Sequence, residues 1–243
     1  MATVTEIAPN VFRFSVFTDA FGLQFNHFLA LDDEPVLIHA GMRRMFDELL
    51  ASVRTIIDPA RLRWIGGSHF EPDEWGALNS WLAVAPNATP VSGLVGAKVM
   101  LEDFADRSPR ALAEDEVLTT GRRRWQFLAT PHVPHGWDAG LFHEATDRVL
   151  FCSDLFGHRG AVEPIIESGL MDRVRPAIAA SRTGPLALSM PYTPQTTASL
   201  ARLADLKPQT LALMHGSTFR GDGARELGAL STAVTELLGP VMD

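Results

Sequence analysis

The chain contains a single cysteine, Cys152, among its 243 residues, so no intrachain disulfide can form. This scarcity of cysteine fits a reduced, cytoplasmic setting, and we expect Cys152 to be a small core residue. The N-terminus also lacks the basic and apolar regions of a signal peptide, and no apolar run reaches the length of a membrane span. We therefore expect a cytoplasmic protein without a membrane partner.

Positive charge is also scarce in this chain. Lys and Arg number 21 against 29 Asp and Glu, which gives a formal net charge of −8. A phosphate backbone is a poor partner for such a chain, so we expect no nucleic-acid binding. The basic run 122–124 is interpreted as the solvated end of a strand, because a patch for an anionic partner would need more cations. The remaining composition, 46% hydrophobic, is that of a globular protein with a core of normal size.

Residue patterns predict alternating strands and helices, with no repeat and no low-complexity segment. Apolar runs predict strands over 10–17, 26–31, 35–40, 61–65, 88–92, 116–129 (a pair), 140–143, 148–152 and 210–214. Helical spacing of apolar residues predicts helices over 42–54, 75–82, 94–104, 162–181, 196–206 and 224–238. A β-rich half is thus expected to end near residue 155. Because candidate site residues come from both halves, we expect one domain over residues 1–243.

Six histidine and carboxylate residues occur at spacings suited to a two-metal site. They are His69, Glu71, Asp73, His135, Asp154 and His215. None is a thiolate, and oxygen and imidazole ligands suit hard or borderline divalent metals rather than a structural zinc site. The run 69–73 follows a predicted strand and a Gly-Gly turn, which places it at the strand's carboxyl end, where open α/β layers bind ligands. Its two-residue spacing predicts three side chains on one side of an extended loop.

This pattern resembles the metallo-β-lactamase superfamily, and more narrowly its di-iron branch of flavodiiron and oxygen-binding di-iron proteins. The branch carries His-x-Glu-x-Asp, then a His, an Asp and a His, and the segment HGWDAGLFHEATDRVLFCSDLFG supports the match over about residues 26–216. The resemblance implies an α/β fold, the αββα sandwich of metallo-β-lactamases. It implies one iron held by His69, Glu71 and His135. It implies a second iron held by Asp73 and His215, with Asp154 as the bridge.

The carboxylate at position 71 separates two functions. Hydrolases of the superfamily usually carry histidine there, so Glu71 favours two iron ions, with manganese or zinc as alternatives. The resemblance then implies a non-haem di-iron protein that binds dioxygen or nitric oxide, as a sensor or as a reductase. The alternative is a dinuclear metal-dependent hydrolase of an ester, lactone, thioester or phosphodiester, with a metal-activated water as nucleophile. A degenerate member serving as a binding module is disfavoured by the intact set of six residues.

The expected partners follow from the same resemblance. Flavodiiron enzymes add a flavodoxin-like FMN domain that supplies electrons. Here no flavin-binding loop is visible and the chain ends soon after His215, which leaves no room for that domain. We therefore expect an external redox or signalling protein as partner, and a homo-oligomer.

Two positions, 74 and 39, depart from the family pattern. A third position, the histidine ligand before Asp154, can be assigned to either of two histidines. Many members have a second histidine where this chain has Glu74. Glu74 is either a ligand of the second metal, or leaves that position to water, or is solvated at a helix start. His39 stands where the superfamily usually has an aspartate, and it either orients a ligand through its ring N–H or is a partly buried residue without a role. His132 competes with His135, but the spacing to Asp154 favours His135.

Overall fold

A computed structural model describes residues 1–183, 187 and 189–239, and within them two seven-stranded sheets face each other. The first sheet contains, in chain order, β1 (Thr3–Ala8), β2 (Val11–Thr18), β3 (Leu23–Ala30), β4 (Val36–Ile38), β5 (Trp64–Gly66), β6 (Thr89–Gly93) and β7 (Arg110–Leu112). The second contains β8 (Val117–Thr119), β9 (Arg124–Ala129), β10 (Gly140–Glu144), β11 (Val149–Ser153), β12 (Ile165–Ile166), β13 (Thr210–Leu213) and β14 (Thr218–Arg220). Its order is β12-β14-β13-β11-β10-β9-β8. The expected single domain also includes residues 184–186, 188 and 240–243, which lie outside the described residues.

Helices cover the outer face of each sheet. The first sheet packs against α1 (Phe46–Val53), α2 (Pro72–Trp75) and α3 (Leu78–Val84). The second packs against α4 (Leu170–Ser181), α5 (Thr196–Asp205) and α6 (Gly223–Leu238). Two 3-10 helices, Arg43–Met45 and Pro59–Arg61, and a π-helix, Gly96–Leu101, lie between these elements. This arrangement confirms the predicted αββα sandwich. Over the described residues, no helix has both the length and the apolar character needed to cross a membrane.

The core consists of a layer between the sheets and a layer under each set of helices. Between the sheets, the rings of Phe28 and Phe151 meet edge to face with centroids 5.4 Å apart. On β11, Val149 and Phe151 face the opposite sheet, while Leu150 and Cys152 face the helices. The strand is therefore apolar on both sides, as expected for a strand buried between two layers. Cys152 is fully buried, which confirms its predicted place in the core.

Parallel pairing places the candidate residues at one end of the sandwich. Strands β11 and β13 run parallel, with Val149 beside Thr210. Asp154, directly after β11, and His215, shortly after β13, therefore leave the second sheet side by side. In the first sheet β5 runs parallel to both β4 and β6, and the segment that carries His69 leaves its carboxyl end.

Several element boundaries differ from the prediction. The helix predicted over 162–181 begins only at Leu170, because Ile165–Ile166 pairs with β14 as a strand. The helix predicted over 75–82 is divided into α2 and α3, where Ala77 N–H donates to the Gly41 carbonyl (2.7 Å). Eleven of the fourteen strands in the described residues lie before residue 154, in keeping with the predicted β-rich half, but the sheets themselves divide earlier, between β7 and β8. Strands β1, β7, β12 and β14 were not predicted; the last three are too short to show a strand period.

Candidate metal centre

The structure brings all six candidate residues together and divides them into two groups that share one member. The first group contains His69, Glu71, His135 and Asp154, and the second group contains Asp73, Asp154 and His215. Within each group the possible ligand atoms lie within 4.8 Å of one another. The residues come from segments that follow strands of both sheets, so the folding of the sandwich creates the site.

The segment after β5 contributes to both groups because it changes conformation within five residues. His69 lies in the loop, and Glu71 is extended (φ −133°, ψ 157°) as the residue before α2. Pro72 starts α2 at a position where its missing N–H costs nothing. Asp73 is therefore in the first helical turn. The prediction of three side chains on one side of an extended loop is wrong for Asp73, which faces the second group while His69 and Glu71 face the first.

Two imidazoles and two carboxylates converge in the first group. His135 Nε2 lies 3.2 Å from Glu71 Oε1 and 3.3 Å from Asp154 Oδ2. His69 Nε2 lies 3.7 Å from Glu71 Oε2 and 3.8 Å from Asp154 Oδ2. Ligands at about 2.0–2.2 Å from one tetrahedral ion are separated by roughly 3.4 Å. These separations are therefore close to those needed around a single cation.

The second group faces the other oxygen of the shared carboxylate. His215 Nε2 lies 3.4 Å from Asp73 Oδ2 and 3.3 Å from Asp154 Oδ1. Asp154 therefore directs Oδ2 to the first group and Oδ1 to the second, which is the arrangement needed to bridge two cations. Among the described residues this group has three candidate ligands, one fewer than the first group, which leaves room for water or a substrate.

Unsatisfied buried atoms support the fit to metal ions. Within the described part of the chain, His69 Nε2 and Asp154 Oδ1 are buried and have no hydrogen-bond partner. An unsatisfied buried polar group costs about 1–3 kcal/mol, and a cation in each group would satisfy these two atoms, His69 Nε2 in the first and Asp154 Oδ1 in the second. A donor set of imidazoles and carboxylates without thiolate suits divalent iron, manganese or zinc. The residues present therefore fit a pair of divalent metals.

The carboxylates hold protons on the buried imidazoles. Burial lowers the pKa of His69, but neighbouring carboxylates, Glu74 foremost, raise it to about 10. Burial also lowers the pKa of His215, but Asp154 and Asp73 raise it well above its usual value. A metal ion must displace these protons to reach the ring nitrogens, so metal binding at neutral pH should release protons.

One side of the centre is open to solvent. The side chains of Glu71 and His135 are 44% and 20% exposed, against 2% for His69. His135 and His69 lower the pKa of Glu71 to about 2, so this carboxylate stays ionised at the opening. In the second group the buried ring of Phe25 packs edge-on against His215, with centroids 4.9 Å apart. Small molecules can therefore approach from the side of Glu71 and His135.

Residues of the first sheet hold the loop that carries His215. His215 Nδ1–H donates to the Gln24 carbonyl (2.8 Å), which leaves Nε2 directed at the second group. Gly216 follows His215 in the chain. Its carbonyl accepts from Asn26 Nδ2 (2.8 Å) and from the buried guanidinium of Arg13 (3.0 Å). Sequence reasoning missed Gln24, Asn26 and Arg13, because nothing in strands β2 and β3 indicates which distant loop they contact.

Three uncertain residues of the sequence analysis have distinct positions. Glu74 belongs to neither group and is fully buried, so its interpretation as a solvated residue is wrong. Its Oε1 lies 3.4 Å from His69 Nδ1. His39 is fully buried, not partly buried, and its Nε2 lies 3.5 Å from the same Glu74 oxygen. His132 is exposed, and His135 rather than His132 takes part in the first group.

Comparisons with known proteins identify similar sequences and folds. The family model described as ODP family beta lactamase matches residues 23–216. The chain is 26% identical to the rubredoxin-oxygen oxidoreductase of Megalodesulfovibrio gigas, over 82% of this chain and 50% of that protein. It is 23% identical to the nitric oxide reductase of Moorella thermoacetica, over 86% of this chain and 52% of that protein. A metal-soaked flavodiiron core from Synechocystis sp. has the same fold, with TM-score 0.78, 22% identity and coverage of 97% and 61%. The chain thus spans about half the length of these two curated relatives.

Proposed function

Because the chain belongs to the ODP beta-lactamase family, we propose that it is a non-haem di-iron protein that reacts with dioxygen or nitric oxide. The observation that carries the proposal is the position of Asp154, whose two oxygens each lie 3.3 Å from a histidine, Oδ2 from His135 and Oδ1 from His215. One carboxylate can therefore join two cations into one redox unit. Glu71 makes the site harder than the histidine usual in hydrolases, which favours iron over zinc. The names of the two relatives support dioxygen and nitric oxide as substrates.

The residues of the centre have separate roles in this proposal. Two ferrous ions, one in each group, would supply electrons to a diatomic substrate. Glu71 and His135 border the opening through which that substrate enters. Phe25 is buried and packs against His215, so that an apolar ring borders the second group. Gln24 holds the His215 ring, so that its Nε2 stays directed at the second group.

We further propose that sustained turnover depends on a separate redox protein. Reduction of dioxygen to water takes four electrons, which exceeds what one ferrous pair holds, so each cycle requires an external donor. A sensor, in contrast, would react once and pass a change to a signalling partner. The proposed location is the cytoplasm.

Metal content and reaction with dioxygen test the proposal. Protein produced in iron-replete medium should retain one iron per group, and hence two per chain. After reduction, exposure to dioxygen should change its near-ultraviolet absorption rapidly, and Asp154→Ala should abolish the change. Asp103→Ala, which alters an exposed carboxylate outside both groups, is the matched control and should behave as the wild type. Retention of two zinc ions and no iron would contradict the proposal.

Two further assays separate the possible activities. Addition of a reduced rubredoxin or flavodoxin should start continuous dioxygen consumption if the protein is a reductase, and absence of consumption would favour a sensor. Lactone, thioester and phosphodiester substrates should not be hydrolysed. Hydrolysis of any of them by the iron-loaded protein, with loss of that activity in Asp73→Ala, would overturn the di-iron redox proposal in favour of a hydrolase.

A further inference from the structure

A buried carboxylate directly behind the first group has no part in the proposed function. Glu74 is fully buried, and burial of a carboxylate is tolerated only where donors surround it. Its Oε2 accepts the backbone N–H groups of Ser68 and, at 3.2 Å, His69. Its Oε1 accepts the hydroxyl of Ser153 at 2.6 Å. Both oxygens of Glu74 therefore accept hydrogen bonds from His69 itself or from the neighbours of His69 and Asp154, two members of the first group.

These contacts determine which nitrogen of His69 carries a proton. His69 Nδ1 lies 3.2 Å from Ser153 Oγ and 3.4 Å from Glu74 Oε1. The only hydrogen of the Ser153 hydroxyl is donated to Glu74, so Ser153 can offer His69 only a lone pair. Both neighbours of Nδ1 are then acceptors, and Nδ1 must carry a hydrogen. The lone pair of a neutral His69 ring is consequently on Nε2, which faces Glu71 and Asp154.

We propose that Glu74 is a positioning residue that holds the His69 ring in the tautomer and orientation in which Nε2 can bind a metal. The inference rests on the proposed metal centre. The Ser153 hydroxyl accepts the second ring N–H of His69, and Glu74 orients that hydroxyl by accepting its hydrogen while lying 3.4 Å from the same ring nitrogen. Partners of this kind fix the ring of a ligating histidine and increase its basicity, and their loss typically lowers metal affinity by about 10–100-fold. The structure thus assigns to Glu74 a role other than the ligand role considered from the sequence.

The surroundings of Glu74 support this assignment. His39 Nδ1–H donates to the Asn26 carbonyl (3.3 Å), and its Nε2 lies 3.5 Å from Glu74 Oε1. His39 is fully buried, so it shields this carboxylate oxygen from solvent. Because Glu74 faces His69, it adds no ligand to the second group, which keeps three candidate ligands.

The experiment measures metal binding in a background where only the first group can bind. His215→Ala removes a ligand of the second group, and cobalt(II) titration followed by visible absorption then reports the first group. Adding Glu74→Gln, which keeps the shape but removes the charge, should weaken this remaining site by about 10–100-fold. Glu102→Gln, at an exposed glutamate remote from both groups, is the matched control and should leave the affinity unchanged.

A spectroscopic readout separates positioning from a general structural effect. This measurement uses the cobalt(II)-loaded protein that retains His215. There the Nδ1–H protons of His69 and His215 should give paramagnetically shifted NMR signals that exchange slowly with solvent. In Glu74→Gln the His69 signal should shift and exchange faster, while the His215 signal, held by Gln24, should not move. If Glu74→Gln does not fold, Ser153→Ala tests the same hydrogen-bond network, since it removes the hydroxyl that links Glu74 to the His69 Nδ1–H, and it should shift the His69 signal as well.

The outcomes distinguish this inference from the proposed function. Wild-type protein that binds no cobalt would contradict the metal centre itself. A wild type with two cobalt ions, together with unchanged affinity and an unchanged His69 signal in Glu74→Gln, would overturn the positioning role alone. Loss of metal from the second group in Glu74→Gln, with the first group intact, would show that Glu74 is a ligand and would also overturn it.

Discussion

His27 is a buried histidine that lies next to the site but outside both groups. Its side chain is 1% exposed, and its Nδ1–H donates to the His39 carbonyl at 3.1 Å. Its Nε2 is buried without a hydrogen-bond partner among the described residues. Burial, reinforced by the nearby ring of His39, lowers the pKa of His27 to about 3. The residue is therefore neutral in the folded protein at any pH in which the protein is expected to work.

We expect His27 to make the metal-free protein sensitive to acid. Above the ordinary histidine pKa of 6.5 neither state binds the proton, so His27 adds no pH dependence. As the pH falls from 6.5 toward 3, the unfolded chain binds a proton that the folded chain cannot bind. The free energy of unfolding then falls by up to about 1.4 kcal/mol per pH unit. Urea unfolding at several pH values should show a smaller slope for His27→Leu than for the wild type.

The exposed His132 provides the matched control for this measurement. His132→Leu should keep the wild-type dependence of unfolding free energy on pH, because it replaces an exposed histidine and leaves the buried ring of His27 in place. Equal slopes for His27→Leu and the wild type would contradict the assignment of His27 as the buried neutral residue.

At the scale of the elements, two glycines, one in each sheet, leave space for one aromatic ring between the sheets. Phe127 of β9 is buried between the sheets. A Cβ atom at Gly93, at the end of β6, or at Gly140, at the start of β10, would overlap the Phe127 ring. In contrast, a Cβ at Gly228 on α6 would have no neighbour within 4 Å. The same substitution should therefore have opposite effects in the two environments.

We expect Gly140→Ala to lower the free energy of unfolding by about 1–3 kcal/mol, because the extra methyl group overpacks the layer between the sheets. Gly228→Ala should raise it by about 0.5–1 kcal/mol, because alanine restricts the unfolded chain and meets no obstacle in the helix. Urea unfolding of both variants measures the difference. A stability of Gly140→Ala at or above that of the wild type would show that the ring can move aside.

At the scale of the whole molecule, the candidate metal centre is formed by residues from both sheets. His69, Glu71 and Asp73 follow β5 of the first sheet, while His135, Asp154 and His215 follow strands of the second. Ions in the two groups would hold these loops together only in the folded protein. Metal binding is therefore expected to stabilise the complete sandwich, and not only the loops that contain the ligands.

We expect a chelator to lower the melting temperature of the iron-loaded protein. A ligand present at 100 times its Kd stabilises the folded state by about 2.7 kcal/mol, and each kcal/mol shifts the melting temperature of a chain of this size by about 2–4 °C. Asp154→Ala should abolish the chelator effect, since it removes a ligand of both groups, whereas His215→Ala should reduce it by about half. Equal chelator responses of the two variants would contradict the shared position of Asp154.

Elements with a strong local pattern were predicted well, and those formed by distant pairing were not. Strand β11 and helix α6 have continuous or periodic apolar residues that indicate their type without a partner. Ile165–Ile166 is a strand only because β14 lies beside it. The basic run 122–124 shows the same limit: Arg123 was expected to be solvated, but it is fully buried and pairs with Glu144 (3.0 Å) and Asp147 (2.8 Å). Neither partner is near it in sequence.

The sequence by itself determined the family resemblance and the six candidate residues, because residue type and the position after a strand are local properties. Only the tertiary structure decided how these residues divide into two groups and which oxygen of Asp154 faces each group. It also decided the position of Glu74, whose carboxylate accepts the hydroxyl of Ser153, 79 positions away along the chain. The physical reason is that a short-range polar contact acts only between atoms that folding has brought together, so its partners cannot be identified from spacing along the chain.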